Sequence, residues 1–197
     1  MLPYVFMLIA AVSRWPGLFP PNFSVLYALF FCAGAFFPGL MAWWLPLGTM
    51  VVTDIILNVF FYHAPVFSWY MLITVASLAG LILFGKLFSR RSSWLSLLTG
   101  GLVGAVLFYL ITNTASWLYN PEYPKTFAGW VQALTKGTEG NPPTWAFFRN
   151  TLLSGGLFTG LFAGAFKLTA SSESAEEKEP KEALAEEPEA EPAAEEA

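Results

Sequence analysis

The chain has 197 residues, of which 55% are apolar, 17% are aromatic and 12% are charged. Residues 1–168 carry eight Lys or Arg and three acids, a net charge of +5, whereas residues 169–197 carry eleven Glu and two Lys, a net charge of −9. The apolar runs of the first part reach the ~20 residues that cross a bilayer, which excludes a soluble domain and predicts an integral membrane protein.

Pro, Gly and charged residues divide the first part into six apolar segments, each predicted to be a membrane helix. The first two are short, which indicates either local thinning of the membrane or burial against neighbouring helices. The predicted fold class is therefore all-α, a polytopic membrane bundle of about six transmembrane helices. In chain order the segments are Leu2–Ser13, Ser24–Phe37, Met41–Asn58, Phe67–Phe84, Trp94–Trp117 and Thr144–Leu168.

A short basic connection between the fourth and fifth segments sets the predicted orientation. It contains Lys86, Arg90 and Arg91, and the positive-inside rule assigns it to the cytoplasm. Six crossings then place the N- and C-termini in the cytoplasm and the long connection 118–143 outside. Within that connection the polar pattern of residues 126–138 predicts a short interfacial helix.

The acidic tail, residues 169–197, consists mainly of Glu, Ala, Pro, Lys and Ser. Such a composition buries too little apolar surface to offset chain entropy, so we predict a disordered cytoplasmic tail after a membrane domain of residues 1–168. The tail is either an acidic docking segment or a solvated extension, and its composition favours the extension.

Polar residues of the predicted bundle concentrate in its outer half. An ionisable group at membrane depth needs a partner, a water-filled cavity or a position near the interface. Asp54 is the only acid in the six segments, and Asn58 lies one turn from it on the same helix face. Because stability does not require such an asymmetry between leaflets, we predict an outward-facing polar pocket. The predicted ligand-binding residues are Arg14, Asn22, Asp54, Asn58, Asn113, Arg149 and Asn150.

The side chains of this cluster suit a small polar or anionic solute. Arg14 and Arg149 would attract a carboxylate or phosphate, Asp54 would orient one arginine or accept from the ligand, and the asparagines would hydrogen-bond to it. A structural interpretation also exists for each residue. The arginines can reach the headgroups, and Asp54 can simply pair with one of them.

The connection RWPGLFPPNFS, residues 14–24, joins the first two segments. Its prolines favour a rigid, non-helical backbone. We predict that it folds over the bundle as the lid of the pocket, although the same residues would serve equally well as a structural plug.

Glycines at four-residue intervals mark the fifth and sixth segments. Such stripes permit close approach between helices. Packing within the bundle is the favoured interpretation, and docking against another membrane subunit is the alternative. The glycines concerned are Gly100, Gly104, Gly156, Gly160 and Gly164.

The sequence lacks the patterns of an enzyme. It has one His, one Cys, no Gly-rich phosphate loop and no paired carboxylates within a segment. We therefore expect no catalytic activity, no cofactor, no metal site and no nucleic-acid partner, and the lipid bilayer is the expected surrounding.

Three stretches, RWPGLFPPNFSVLYALFFCAGAFF, WWLPLGTMVVTDIILN and FFRNTLLSGGLF, resemble a family of small bacterial membrane proteins without an established activity. The resemblance covers most of residues 8–165 and implies a location in the bacterial inner membrane. The matching positions are Arg14, Pro21, Asn22, Phe23, Gly34, Pro46, Leu47, Asp54, Phe147, Phe148 and Asn150.

The hydropathy layout also resembles the substrate-capture (S) subunits of energy-coupling-factor (ECF) transporters. That resemblance implies an outer ligand pocket, capped by the loop between helices one and two, and a first helix that docks on a partner transmembrane subunit. One departure is visible in the first helix, where S subunits typically carry small residues four apart and Ala10 is followed here by Arg14.

The sequence thus predicts a subunit that captures a small solute from outside for uptake with partner subunits. The second class of function is a non-transporting scaffold, whose glycine stripes and acidic tail bind protein partners. A void lined by the polar cluster favours capture, whereas a closed salt-bridge network without a cavity favours the scaffold.

Overall fold

A computed structural model describes residues 1–185, with side chains described for residues 1–169. The regular secondary structure of these residues is entirely helical, which confirms the predicted all-α class for the part described. A π-helical turn, Asn58–Tyr62, continues the third helix. The helices are α1 (Leu2–Ser13), α2 (Leu26–Phe36), α3 (Met41–Leu57), α4 (Trp69–Gly85), α5 (Trp94–Tyr119), α6 (Phe127–Thr135) and α7 (Thr144–Ala185).

Three helices are long and apolar enough to cross a membrane, which identifies the chain as a membrane protein. They are α3 with its π-helical turn (Met41–Tyr62), α5, and the Thr144–Thr169 part of α7. The remaining predicted segments correspond to α1, α2 and α4, which are apolar but have only 10–17 residues each. The predicted interfacial helix corresponds to α6.

The short helix α2 forms the centre of the bundle. All side chains from Ala28 to Ala33 are 0% exposed, and α2 contacts α1, α3, α4, α5 and α7. A helix that is apolar on every face is stable when neighbouring helices enclose it. Burial, rather than membrane thinning, therefore explains why 11 residues suffice for α2.

The packing of α2 against α4 depends on one glycine in each helix. A Cβ built on Gly34 would lie 2.9 Å from the Cα of Gly85 and would collide with the carbonyl oxygen of Ile82. A Cβ built on Gly85 would likewise collide with the carbonyl oxygen of Phe31. The two backbones are therefore in direct contact at this point.

The predicted glycine stripes lie largely within the bundle. A Cβ added to four of the five glycines would contact a side chain of the same chain, which agrees with the packing interpretation. These four are Gly100, Gly104, Gly156 and Gly160. At Gly164 an added Cβ would meet nothing within 4 Å.

The closest approach of α5 to α7 uses glycines next to the predicted stripes. A Cβ on Gly155 would lie 2.9 Å from the Cβ of Ala105, and one on Gly101 would collide with the side chain of Thr159. Because adjacent residues of a helix point about 100° apart, this contact face differs from the one predicted from the four-residue intervals.

Helix α7 extends past the predicted end of the membrane domain at residue 168. Its backbone is helical to Ala185, and the disorder predicted for the tail stays a prediction. Ala, Glu and Lys have high helix propensities and favour a continued helix, whereas Pro180 removes one of its backbone donors. The rest of the predicted tail, residues 186–197, lies outside the described residues.

Candidate functional site

The shortness of α2 leaves space on one side of the bundle. Helices α2 and α3 meet at the turn between Phe36 and Met41. From this turn α3 and its π-helical turn continue for 22 residues, roughly 33 Å, whereas α2 extends only about 16 Å. The 14–24 segment, which precedes α2, therefore lies beside the second half of α3. Irregular backbone at such a depth is tolerated where it is buried in protein or lines a cavity.

The sequence of this segment determines its turns. Pro20 accepts a hydrogen bond from the backbone N–H of Phe23 at 3.0 Å, and Asn22 has a φ of 60°. Pro at the second position and Asn in the left-handed region at the third position are typical of a type II turn. The aromatic rings of Phe19 and Phe23 pack against Phe158 of α7, with centroid distances of 6.3 and 5.9 Å.

Arg14, at the end of α1, forms an ion pair with Asp54 of α3. The Nη2 group of Arg14 donates to Oδ1 of Asp54, and the two side chains are 16% and 19% exposed. It is the only salt bridge within the part of the chain described here. The alternative considered above, in which Asp54 pairs with one arginine, is thus present in the structure.

A cavity of about 920 Å³ lies beside this ion pair. Its walls are the 14–24 segment, the second half of α3, the first part of α4, the second half of α5, the connection between α5 and α7, and the beginnings of α2 and α7. Five of the seven predicted residues line it, although they come from three separate parts of the sequence. These five are Arg14, Asn22, Asp54, Asn58 and Asn113.

The other two predicted residues, Asn150 and Arg149, do not line the cavity. Asn150 is 8% exposed, and its Nδ2 group donates to the carbonyl oxygen of Pro21 at 2.9 Å. Arg149 is exposed and lies over the ring of Trp145, 5.7 Å from its centroid. Asn150 thus contacts the 14–24 segment, and Nε and Nη2 of Arg149 donate to Oδ1 of Asn150 at 3.4 Å. The predicted anion site placed Arg149 in the cavity lining, and the structure places it outside.

The hydrogen bond from Asn150 holds the 14–24 segment against α7, and we expect its removal to loosen that segment. Asn150→Ala leaves the Pro21 carbonyl without its donor, at a cost of about 1 kcal/mol. Limited chymotrypsin digestion in detergent should then cleave several-fold faster after Phe23, because Trp15 and Phe19 are each followed by a proline, which blocks cleavage.

Asn113→Ala is the matched control for this digestion. The Nδ2 group of Asn113 donates to the carbonyl oxygen of Tyr109 in its own helix at 2.9 Å, and Asn113 makes no hydrogen bond to the 14–24 segment. Equal cleavage of Asn150→Ala and the unmodified protein would show that other contacts hold the segment.

The connection between α5 and α7 covers the cavity from a second side. Trp130 of α6 donates through Nε1 to Oγ1 of Thr114 at 2.9 Å, and the hydroxyl of Tyr109 donates to the carbonyl oxygen of Leu134 at 2.6 Å. The hydroxyl of Thr126 caps α6 by accepting from the backbone N–H of Gly129 at 3.2 Å. The connection is thereby fixed onto α5.

Sequence reasoning missed a polar stripe on α5. Its residues recur at intervals of three and four, as expected for one face of a helix, and all of them line the cavity. Of its residues only Asn113 was predicted, because the hydroxyls were not taken as site candidates and Asn120 lies just beyond the predicted end of the fifth segment, Trp117. The stripe consists of Tyr109, Thr112, Asn113, Ser116 and Asn120.

The cavity lining carries balanced charge. Arg14 and Asp54 are its only charged residues among the side chains described. Burial, and secondly the nearby Glu122 carboxylate, raises the pKa of the lining residue Tyr123 above its ordinary value of 10. Its phenol is therefore neutral at physiological pH, and the charge of the lining sums to zero.

A second cavity of about 340 Å³ lies between α4 and α5. It is lined by apolar side chains and by Ser77, whose hydroxyl already donates to the carbonyl oxygen of Ile73 at 2.7 Å. No polar group is left there to orient a solute, so the larger cavity is the candidate site.

The chain belongs to DUF6580, a family of unknown function whose sequence pattern matches residues 1–179. This match confirms the resemblance to proteins without an established activity. Neither a curated protein nor a solved structure matches the chain.

Proposed function

We propose that this protein captures a small polar solute at the outer side of the bacterial inner membrane, as the solute-binding subunit of an uptake transporter. The polar cavity of about 920 Å³ is the main support, because it falls in the range of 300–1,000 Å³ typical of small-molecule sites. The proposal includes six membrane crossings with both termini in the cytoplasm.

Polar groups without protein partners support capture over a scaffold. The side chains of Asn22 and Asn58 line the cavity and make no hydrogen bond within the described part of the chain. Asn22 is exposed, but Asn58 is partly buried, and an unpaired amide there is costly at membrane depth unless water or a solute satisfies it. A scaffold would gain nothing from such groups, although the Arg14–Asp54 pair by itself would suit either function.

The proposed orientation follows from the two ends of α4 and α5. Cavity residues occur at the beginning of α4, such as Tyr70, and at the end of α5, such as Ser116. The basic connection 86–91 joins the opposite ends of the same helices, and Lys167 of α7 donates there to the carbonyl oxygen of Arg90 at 3.3 Å. If the basic end is cytoplasmic, the cavity faces outward.

Helix α1 offers a surface for a partner transmembrane subunit, as the resemblance to S subunits implies. Val5, Leu8 and Val12 share one face of α1 and are 49%, 66% and 58% exposed. This apolar face contacts either lipid or a partner. Among the predicted glycines, Gly164 is the one that leaves room for a helix of another subunit.

A thermal-shift screen of the purified protein in detergent tests the capture function. We expect one solute from a panel of vitamins, nucleobases, sugars and small acids to raise the unfolding temperature. At a concentration of 100 times Kd, binding adds about 2.7 kcal/mol to the free energy of unfolding.

Variants of the ion pair identify where the solute binds. Arg14→Lys and Asp54→Asn should reduce the thermal shift, whereas Arg149→Ala, which alters an exposed arginine outside the cavity, should retain it. If no compound of the panel shifts the unfolding temperature, the scaffold function is favoured.

A further inference from the structure

We infer that the solute is an uncharged planar ring compound with an N–H group next to a carbonyl group, as in a cyclic amide, imide or ureide. This inference rests on the proposed function and concerns the chemistry of the same cavity. It replaces the predicted preference for an anion.

Charge balance excludes a net charge on the solute. The two ionised lining residues, Arg14 and Asp54, already neutralise each other, and Arg149 lies elsewhere. An anion bound beside Arg14 would leave the Asp54 carboxylate without a counter-charge, and a cation beside Asp54 would do the same to the guanidinium. An unpaired charge in a partly buried site is costly, so a neutral solute binds best.

The ion pair leaves donors of Arg14, including a buried Nε, and one carboxylate oxygen of Asp54 without a hydrogen-bond partner in the described part of the chain. It consists of a single contact, between Nη2 of Arg14 and Oδ1 of Asp54. Nη1 of Arg14 and Oδ2 of Asp54 have no hydrogen-bond partner within the described residues, and neither atom is buried. A solute that accepts at one atom and donates at the next satisfies both. An adjacent carbonyl and N–H group has this arrangement.

Aromatic side chains form much of the remaining wall. A planar ring gains stacking or edge-to-face contacts with such side chains in addition to the burial of its own surface. The amide groups of Asn22 and Asn58 supply further donors and acceptors, and Asn113 supplies an acceptor because its Nδ2 group already donates to Tyr109. The aromatic lining residues include Trp15, Phe19, Phe23, Tyr27, Phe108 and Phe147.

Four pyrimidine and purine probes test this chemistry on the full-length protein by calorimetric titration in detergent. Uracil and hypoxanthine carry the N–H and carbonyl pair without charge, 1,3-dimethyluracil lacks the N–H, and orotate adds a carboxylate to the uracil ring. We expect uracil or hypoxanthine to bind, with 1,3-dimethyluracil and orotate at least about tenfold weaker.

Asp54→Asn provides a reversal test. This variant retains an oxygen acceptor but leaves Arg14 unpaired, so orotate should now bind more tightly than uracil. Arg149→Ala should keep the order of the unmodified protein. If the unmodified protein prefers orotate, or binds 1,3-dimethyluracil as tightly as uracil, the inferred solute class is wrong.

The outcome for the solute class is separable from that for the proposed function. Binding of a sugar, an amino acid or an acid from the wider panel, without binding of uracil or hypoxanthine, overturns the ring class while capture stands. Failure of every compound overturns both.

Discussion

Loss of either partner of the Arg14–Asp54 pair is expected to destabilise the folded protein by about 3 kcal/mol. Arg14→Ala leaves a carboxylate without its counter-charge at membrane depth, and Asp54→Ala leaves a guanidinium in the same position. The pair joins the end of α1 to the second half of α3, so its loss also releases one end of the 14–24 segment. Unfolding in detergent, followed by tryptophan fluorescence, measures the change.

A double-mutant cycle distinguishes the ion pair from general packing. The double variant Arg14→Ala/Asp54→Ala removes both charges and should be less destabilised than the sum of the single variants, with a coupling energy of about 1–3 kcal/mol. Arg149→Ala is the control, and we expect a change within about 1 kcal/mol because its guanidinium contacts an exposed ring and makes only long hydrogen bonds, 3.4 Å, to Asn150. Additive single effects would indicate that the pair contributes no direct interaction.

Local sequence signals predict the helices of this protein well. Pro, Gly and charged residues end each apolar run, so α1 has the predicted bounds and α5 begins at the predicted residue, Trp94. The depth of a polar residue along its helix follows from the same runs. For that reason Asp54, Asn58 and Asn113 could be assigned to one end of the bundle before their contacts were known.

The direction of a side chain around its helix is harder to predict. Arg149 and Asn150 have nearly the same depth, but one is exposed and the other is buried against Pro21. Which face of α7 turns inward depends on the neighbouring helices, and the apolar pattern of a membrane helix does not distinguish a protein neighbour from lipid. Arg149 was predicted to line the pocket from its depth along the helix alone, and the structure places it outside the cavity lining.

The need to know which helices are neighbours also explains why the sequence did not single out Gly34 and Gly85. Four-residue intervals were sought within one helix, whereas the tightest contact of the bundle joins single glycines of two helices, Gly34 and Gly85. Only knowledge that α2 and α4 are neighbours would have connected these positions. A glycine outside a four-residue repeat is thus as important for packing as one within such a repeat.

Gly34→Ala and Gly85→Ala are expected to have the largest effect on stability, at about 3 kcal/mol or more. In each case the new methyl group meets the backbone of the opposite helix, which cannot move aside by a change of rotamer. Because α2 contacts five other helices, a shift away from α4 would disturb most of the core and the wall of the cavity. The measurement is the yield of monodisperse protein and its unfolding temperature in detergent.

Gly80→Ala on α4 is the matched control for this pair of substitutions. An added Cβ there meets nothing within 4 Å, and Ala is the better helix former by up to about 1 kcal/mol. We therefore expect Gly80→Ala to be neutral or slightly stabilising, while Gly85→Ala, five residues along the same helix, is strongly destabilising. If both substitutions have the same effect, helix propensity rather than backbone contact governs these positions. If Gly34→Ala alone is tolerated, α2 can adjust against α4, and the central helix is less tightly fixed than the contact of the two backbones indicates.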